Sequence, residues 1–467
     1  MRKTKIICTL GPASESREIL AQMIEAGVDV FRLNMSHAQH DWVRKIVPLI
    51  RELAEKAKRS IAILLDTQGP AIRTGEVKTD LQLKPGDVIE FTVRGAKSEE
   101  KYSVDVNYEG LVNDINVGDI VLVDNGMIRM EVLEKRANRV KCRVLTPGTL
   151  GSRRHINLPG VRVNLPPLTE KDIVDLSLGV ELGVDLVALS FVREKSDIEE
   201  LRRILSQKKS NAKIVAKIED QAAVESLEDI IKASDAVMVA RGDLGIEVAM
   251  EELPIIQRRI VKLSIKFGKP VVVATHMLES MITNPMPTRA EVTDVANAVF
   301  EQADAVMLSG ETSTGRYPVE CVRVLNRIAL RTERSGGAGY AHGALLEDDR
   351  QKTVNSAVVL ANSLRRAKLI VFTRHGTMAR NVSNLRPEHA TVFAFTPDER
   401  VQRQMSILWG VCPIFIEFTG DPNTSIETAE KYLRDNQLTK PGDHLVIITD
   451  LHAGTERIDS VQLRTAK

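Results

Sequence analysis

Two short polar clusters, each following an apolar run, hold the residue types that phosphoryl chemistry needs. Lys217-Ile218-Glu219 follows Ile214-Val215-Ala216, and Arg241-Gly242-Asp243 follows Ala236-Val237-Met238-Val239-Ala240. The period-two alternation of a strand puts Lys217 and Glu219 on one side. Asp243 is expected at the same level on the next strand, after Gly242, which lets a ligand approach the backbone closely. Two carboxylates so placed suit a hard cation: Mg2+, or Mn2+ in its place, binds one or two carboxylates and completes its shell with water and substrate phosphate. Lys217 then neutralises charge on the transferred group. Taken alone, Lys217 and Glu219 could equally be a salt bridge at a strand end.

Other polar residues collect after similar apolar runs. Asn34, Ser36, Asp66 and Thr67 form an oxygen-rich group with one formal charge, which could hold a monovalent cation or form a hydrogen-bonded network. Arg32 and Arg73 are natural forks for phosphate or carboxylate. Thr275 reads as a proton-relay hydroxyl or a helix cap, His276 as a general acid or a structural residue, and Cys8 as core.

Positioning these residues takes a repeated unit: a β-branched run, a loop, then an amphipathic helix. The pattern predicts strands at Lys5–Leu10, Val28–Asn34, Ile61–Asp66, Asp185–Val192, Lys213–Glu219, Ala236–Arg241, Pro270–Thr275 and Ala305–Gly310. Most are apolar throughout, as parallel strands buried on both faces are. Eight β-then-α units suggest a closed (β/α)8 TIM barrel, with its active site at the C-terminal ends of the strands. After Asp66 the expected helix is delayed until Thr169, which should cap it. The intervening text is turn-rich, and Asn125-Gly126 is a hairpin signal. It reads as an inserted small β-barrel lid domain over 70–167, between barrel segments 1–69 and 168–334. A Gly-rich linker at 335–339 precedes a smaller open α/β domain over 345–467, with strands at Leu369–Thr373, Val392–Phe395, Ile414–Phe418 and Leu445–Thr449.

Composition narrows the class. The 467 residues are 43% hydrophobic and 27% charged, an ordinary globular balance. Net charge +1 and 4% aromatics argue against nucleic-acid and membrane-surface partners. Four scattered cysteines read as buried thiols in a reducing compartment. The first residues run straight into a strand, and no apolar run reaches the roughly 18 residues of a membrane span, so the expected location is cytoplasmic.

At these motifs the chain resembles pyruvate kinase over nearly its whole length. The resemblance rests on Thr4-Lys5-Ile6-Ile7-Cys8-Thr9-Leu10-Gly11-Pro12, Asn34-Met35-Ser36-His37, Leu65-Asp66-Thr67-Gln68-Gly69-Pro70 with Arg73, and Asn157-Leu158-Pro159-Gly160. It continues in Lys217-Ile218-Glu219, Met238-Val239-Ala240-Arg241-Gly242-Asp243-Leu244-Gly245, Met277-Leu278-Glu279-Ser280-Met281, Pro287-Thr288-Arg289-Ala290-Glu291 and Leu308-Ser309-Gly310-Glu311-Thr312. It implies phosphoryl transfer from phosphoenolpyruvate to ADP, giving pyruvate and ATP in glycolysis. Glu219 and Asp243 would hold Mg2+, and Asn34, Ser36, Asp66 and Thr67 would hold K+. Lys217 would stabilise the phosphoryl group in flight. Arg32 would orient it, with Arg73 facing the nucleotide phosphates. Gly242, Asp243 and Thr275 would meet the enolpyruvate end, with Thr275 near the protonated face. Asn34, His37 and, from the lid, Arg154 would contact the nucleotide. A homotetramer is also implied.

Some positions depart from the family pattern. Arg154 and His155 stand where Lys and Gly are usual, and His276 where Gln is usual. Ala71 replaces the Glu of K+-dependent members and the Lys of K+-independent ones. Thr67 and Thr74 resemble the K+-dependent type, and Gln68 the other. In the last domain, Thr373-Arg374-His375-Gly376-Thr377-Met378-Ala379 keeps a turn that could take a phosphorylated effector. The later loop, 450–456, is short, so weak or absent activation by fructose 1,6-bisphosphate is expected. Competing readings are a Mg2+-dependent barrel lyase acting on a pyruvate enolate, which needs no lid, and a regulatory paralogue without catalysis.

Overall fold

The eight parallel strands, buried on both faces, close on themselves. A computed structural model describes residues 1–96, 98, 100–419, 421–453 and 456–467, apart from the side chains of 450–453 and 456–458. Barrel strands one to eight are Lys5–Thr9, Val30–Asn34, Ala62–Asp66, Leu186–Leu189, Lys213–Ile218, Ala236–Ala240, Val271–Ala274 and Ala305–Leu308. They pair in parallel, each with its sequence neighbours, and strand one closes on strand eight. Each expected strand is present and most are trimmed at the ends. The trimming bears on the site: strand six stops at Ala240, and Arg241–Glu247 is a short helix. Asp243 therefore reaches the barrel mouth from a helical turn, not from a strand as expected.

A repeat invisible to periodicity closes the opposite end of the barrel. Asp29, Asp185, Asp235 and Asp304 stand just before the even-numbered strands. Each accepts a backbone N–H from the strand before: Ile6, Ile63, Ile214 and Val271. The carboxylates satisfy strand-start donors that otherwise face no partner. Two of them also anchor the C-terminal domain, through Arg403 on Asp185 (2.9 Å) and Arg386 on Asp304 (2.6 Å). Apolar packing is continuous there too. Interior barrel residues such as Ile7, Ala188 and Met307 belong to one buried cluster with Met405, Leu408 and Val411.

The insertion leaves after strand three and carries a six-stranded sheet with its own core around Phe91, Val123, Ile128 and Val140. The Asn125-Gly126 hairpin forms between Ile120–Val123 and Ile128–Arg136, with Asp124, Asn125 and Gly126 all left-handed. At the exit, Gly69 has φ 71°, and a Cβ there would lie 2.8 Å from Phe191, so only glycine fits. Thr169 caps helix Glu170–Glu181 as expected, with Asp172 completing a capping box. The other oxygen of Asp172 accepts the N–H groups of Gln68 and Gly69, so one side chain ties the lid's exit to its return.

The C-terminal sheet has the four expected strands in parallel and a fifth, Glu456–Thr465, antiparallel at the edge. That strand corrects the reading of 450–456 as a loop. Asp450–Ala453 and Glu456 are strand residues, paired from His444↔Thr465 to Ala453↔Glu456, and Gly454 and Thr455 lie outside the described residues. The edge strand escaped notice because Ile458, Val461 and Leu463 sit among charged residues without clean alternation. Cys8, Cys142 and Cys321 are buried free thiols, and Cys412 is half-buried. Among the described residues, no helix is long and apolar enough to cross a membrane.

Candidate active site

Strand register brings the predicted residues to one end of the barrel. Asn34 pairs with Asp66, and Ala188 also lies beside Asp66. A cavity of about 360 Å3 opens there, under the lid, lined by Arg32, Asn34, Ser36, Thr67, Gln68, Ala71, Arg73, Lys217, Glu219 and Asp243. From the lid come Asp124, Asn125, Arg153, Arg154 and His155.

Lys217 is the hub. Its Nζ donates to Ser190 Oγ at 2.8 Å and lies 2.8 Å from Glu219 and 3.3 Å from Asp66. Burial disfavours its charge, yet Asp66 and Glu219 more than reverse this and hold the ammonium above its ordinary range. Asp66 is fully buried. Burial would raise its carboxyl, but Arg32 (Nε at 2.6 Å) and Lys217 win and keep it ionised. Glu219 goes the other way. Burial, reinforced by Asp243 against the pull of Lys217, pushes its carboxyl up to about 7. One of its oxygens accepts the Phe191 N–H at 2.6 Å. Glu219 is paired with Lys217, whereas Asp243 has no ion pair or hydrogen bond among the described residues, and both carboxylates line the cavity. That is the donor set a hard divalent cation requires.

The expected monovalent-cation group is only partly open. Asn34, Ser36 and Thr67 line the cavity, whereas Asp66 sits behind them with its two oxygens on Arg32 and Lys217. Arg32 is itself fixed, with Nη1 donating to Thr9 Oγ1 at 2.9 Å. Arg73 is half-buried and donates to Arg153 O, while Arg154 pairs with Asp124 at 3.2 Å. His37 is exposed and does not line this cavity. A shallow cleft next to it shares Ser36 and continues over Ala38, His40, Asp41, Lys171 and Asp175. His155 meets Phe191 edge to face at 6.0 Å. Burial, followed by Arg73, lowers its basicity despite Asp243 nearby.

Thr275 lies just after strand seven, and its Oγ1 accepts the Gly242 N–H at 2.8 Å. Thr275 and His276 have φ 68° and 55°. A β-branched residue there is strained, by about 1–3 kcal/mol, and such strain persists only where the surroundings enforce it. Gly242 is the second residue of helix Arg241–Glu247, so the Thr275 hydroxyl caps that helix from another strand, and the cap and relay readings both stay open. Sequence reading gave no role to Ser190, Phe191 or Arg241. Their signal was position alone, at the ends of strands four and six.

A closed parallel barrel with a β lid over a lysine, two arginines and two carboxylates that share one cavity is a phosphotransferase architecture. Residues 1–322 match the family model described as pyruvate kinase, barrel domain, and residues 351–462 match pyruvate kinase, alpha/beta domain. The chain belongs to the pyruvate kinase family. It is 42% identical over 462 residues to plastidial pyruvate kinase 2 of Arabidopsis thaliana, covering 98% of this chain and 79% of that protein. It is 40% identical to a pyruvate kinase of Staphylococcus aureus strain MRSA252, covering 97% and 78%. The crystal structure of a pyruvate kinase from Cryptosporidium parvum superposes with TM-score 0.95 at 33% identity, over 100% of this chain and 96% of that one. Membership decides against the lyase reading.

Proposed function

We propose that the chain transfers a phosphoryl group from phosphoenolpyruvate to ADP, giving pyruvate and ATP, as the closing phosphotransfer step of glycolysis. The observation that carries this is Lys217 held charged beside the carboxylates of Glu219 and Asp243 in a lidded cavity. Glu219 and Asp243 would hold Mg2+. When bound, the cation screens phosphoryl charge and draws the two substrates into line. Lys217 and Arg32 neutralise the equatorial oxygens as the bond from phosphorus to the enolpyruvate oxygen breaks and the bond to an ADP oxygen forms. Arg73 and, from the lid, Arg154 receive the nucleotide phosphates, and the cleft beyond Ser36 takes the nucleoside. Thr275 faces the enolpyruvate carbon that gains a proton. The lid over the cavity keeps water from accepting the phosphoryl group. A coupled assay of pyruvate formation from phosphoenolpyruvate and ADP tests the reaction, and absence of turnover with Mg2+ and K+ present would return the chain to the regulatory reading.

Asn34, Ser36 and Thr67, with Asp66 behind them, would hold K+, whose charge complements phosphate in a site already short of cations. The rate in K+ is expected to exceed the rate in buffer free of Na+ and K+ severalfold, despite Ala71. Equal rates in the two buffers would count against K+ binding there. The proposed domain limits remain 1–69 and 168–334 for the barrel, 70–167 for the lid and 345–467 for the last domain. A homotetramer is proposed as well, and exposed Val359, Phe415 and Leu463 give the last domain apolar surface for assembly. With Asp450–Ala453 and Glu456 paired in strands, an effector phosphate at Thr373–Thr377 would lack a long covering loop, which supports weak activation by sugar bisphosphates. The relatives include plastidial and bacterial proteins, so no compartment is assigned from family membership.

A further inference from the structure

We propose that Arg241 is a positioning residue that holds Thr275 in its reactive orientation. The inference rests on the reading of Thr275 as facing the protonated carbon. Arg241 is buried and does not line the catalytic cavity. Its guanidinium turns to the end of strand seven. Nη2 donates to Thr275 O at 2.6 Å, and Nε reaches Thr275 O and Ala274 O, both at 3.2 Å. The next residue, Gly242, donates its N–H to Thr275 Oγ1 at 2.8 Å. One dipeptide therefore fixes Thr275 at both its carbonyl and its hydroxyl.

This grip explains how two successive non-glycine residues stay left-handed. A threonine released from such a conformation relaxes toward extended backbone, which would carry its hydroxyl away from the site. The Thr275 hydroxyl also donates to Ala274 O at 2.6 Å, the carbonyl that Arg241 Nε approaches. Arg241 is in turn oriented from outside the barrel. Its Nη1 donates to Asp294 at 2.7 Å on helix Arg289–Phe300 and approaches Gln257 at 3.4 Å on helix Leu253–Lys266. Gln257 is held by Glu301 at 3.1 Å. Planar, forked and permanently charged, arginine can serve two carbonyls and a carboxylate at once, and lysine cannot.

The test compares Arg241→Lys, Asp294→Asn, Thr275→Ala and the Arg241→Lys/Thr275→Ala double variant. The Asp294 side chain is 35% exposed, so its variant keeps the question answerable should Arg241→Lys fold poorly. Two rates are read with Mg2+, K+ and ATP present: overall turnover, and exchange of pyruvate methyl hydrogen into D2O. In exchange, the methyl C–H bond gives its proton to solvent, and the resulting enolate regains a deuteron. Arg241→Lys should lower exchange and kcat by about ten- to a hundredfold, with KM for ADP within about twofold. Asp294→Asn should do the same more mildly. In the Thr275→Ala background, Arg241→Lys should cost little more, because residues acting as one unit are not additive. Additive losses, or full exchange in Arg241→Lys where Thr275→Ala loses it, overturn the inference and leave the Thr275 reading standing. Full exchange in Thr275→Ala removes that reading and the inference with it.

Discussion

Replacing Lys217 by methionine is expected to lower kcat by about a thousandfold or more, which is roughly 4 kcal/mol of transition-state stabilisation. The ammonium is positioned before substrate arrives. Ser190 and Glu219 hold it at 2.8 Å, and Asp66 at 3.3 Å. No reorganisation is needed when phosphoryl charge spreads over the equatorial oxygens, and methionine offers similar length without charge. A stability cost should accompany the loss. Removing one partner from a buried ionic network costs about 3–5 kcal/mol. The low end is expected here, because Arg32 remains on Asp66 and Glu219 can take up a proton. Thermal unfolding reports the second effect and a coupled pyruvate assay the first. A folded Lys217→Met enzyme within tenfold of the parent rate would sink the assigned role.

The second large effect is expected at Asp243. Asp243→Asn removes one of the two carboxylates proposed to hold Mg2+, so the Mg2+ concentration for half-maximal rate should rise by at least about tenfold. It also bears on pH. In the parent protein burial, with help from Asp243, pushes the Glu219 carboxyl up to about 7. Below that pH a proton occupies the group and competes with the cation, because metal ligands must be deprotonated. The Mg2+ requirement should therefore rise as pH falls from 8 to 6. Without the Asp243 charge the Glu219 carboxyl becomes more acidic, so in Asp243→Asn the same rise should begin at a lower pH. Titrating rate against Mg2+ at several pH values, in parent and variant, reads both. A pH-independent requirement in the parent, or an unchanged one in the variant, would be incompatible with this ligand pair.

Much of the fold was legible because barrel strands are short, apolar on both faces and followed by amphipathic helices. Those signals need no tertiary information, so all eight strands, the lid insertion and the Thr169 cap could be read. The fifth strand of the last sheet could not, because an edge strand half-facing solvent carries no clear alternation. The four aspartates at the barrel's lower end were also missed. Single residues before strands have no local meaning until the neighbouring strand's N–H groups are placed above them.

At the site, the sequence alone determined which groups are present. Arg32 and Lys217 lie in buried strands and Glu219, Asp243 and Thr275 follow them, and their spacing pointed to phosphate and a hard cation. The charge each group carries depends on groups contributed from elsewhere in the fold, and only the tertiary structure decided that. Asp66 and Glu219 are both buried carboxyls beside Lys217. Asp66 also meets Arg32 and stays ionised, whereas Glu219 faces Asp243 and titrates near 7. The sequence could not show that Thr275 has a left-handed backbone or that Arg241 grips it. Local sequence sets strand, turn and burial. The electrostatic balance and the backbone strain are sums over neighbours tens of residues apart and, for Lys217 and Asp66, 151 apart, and they exist only once the barrel has closed.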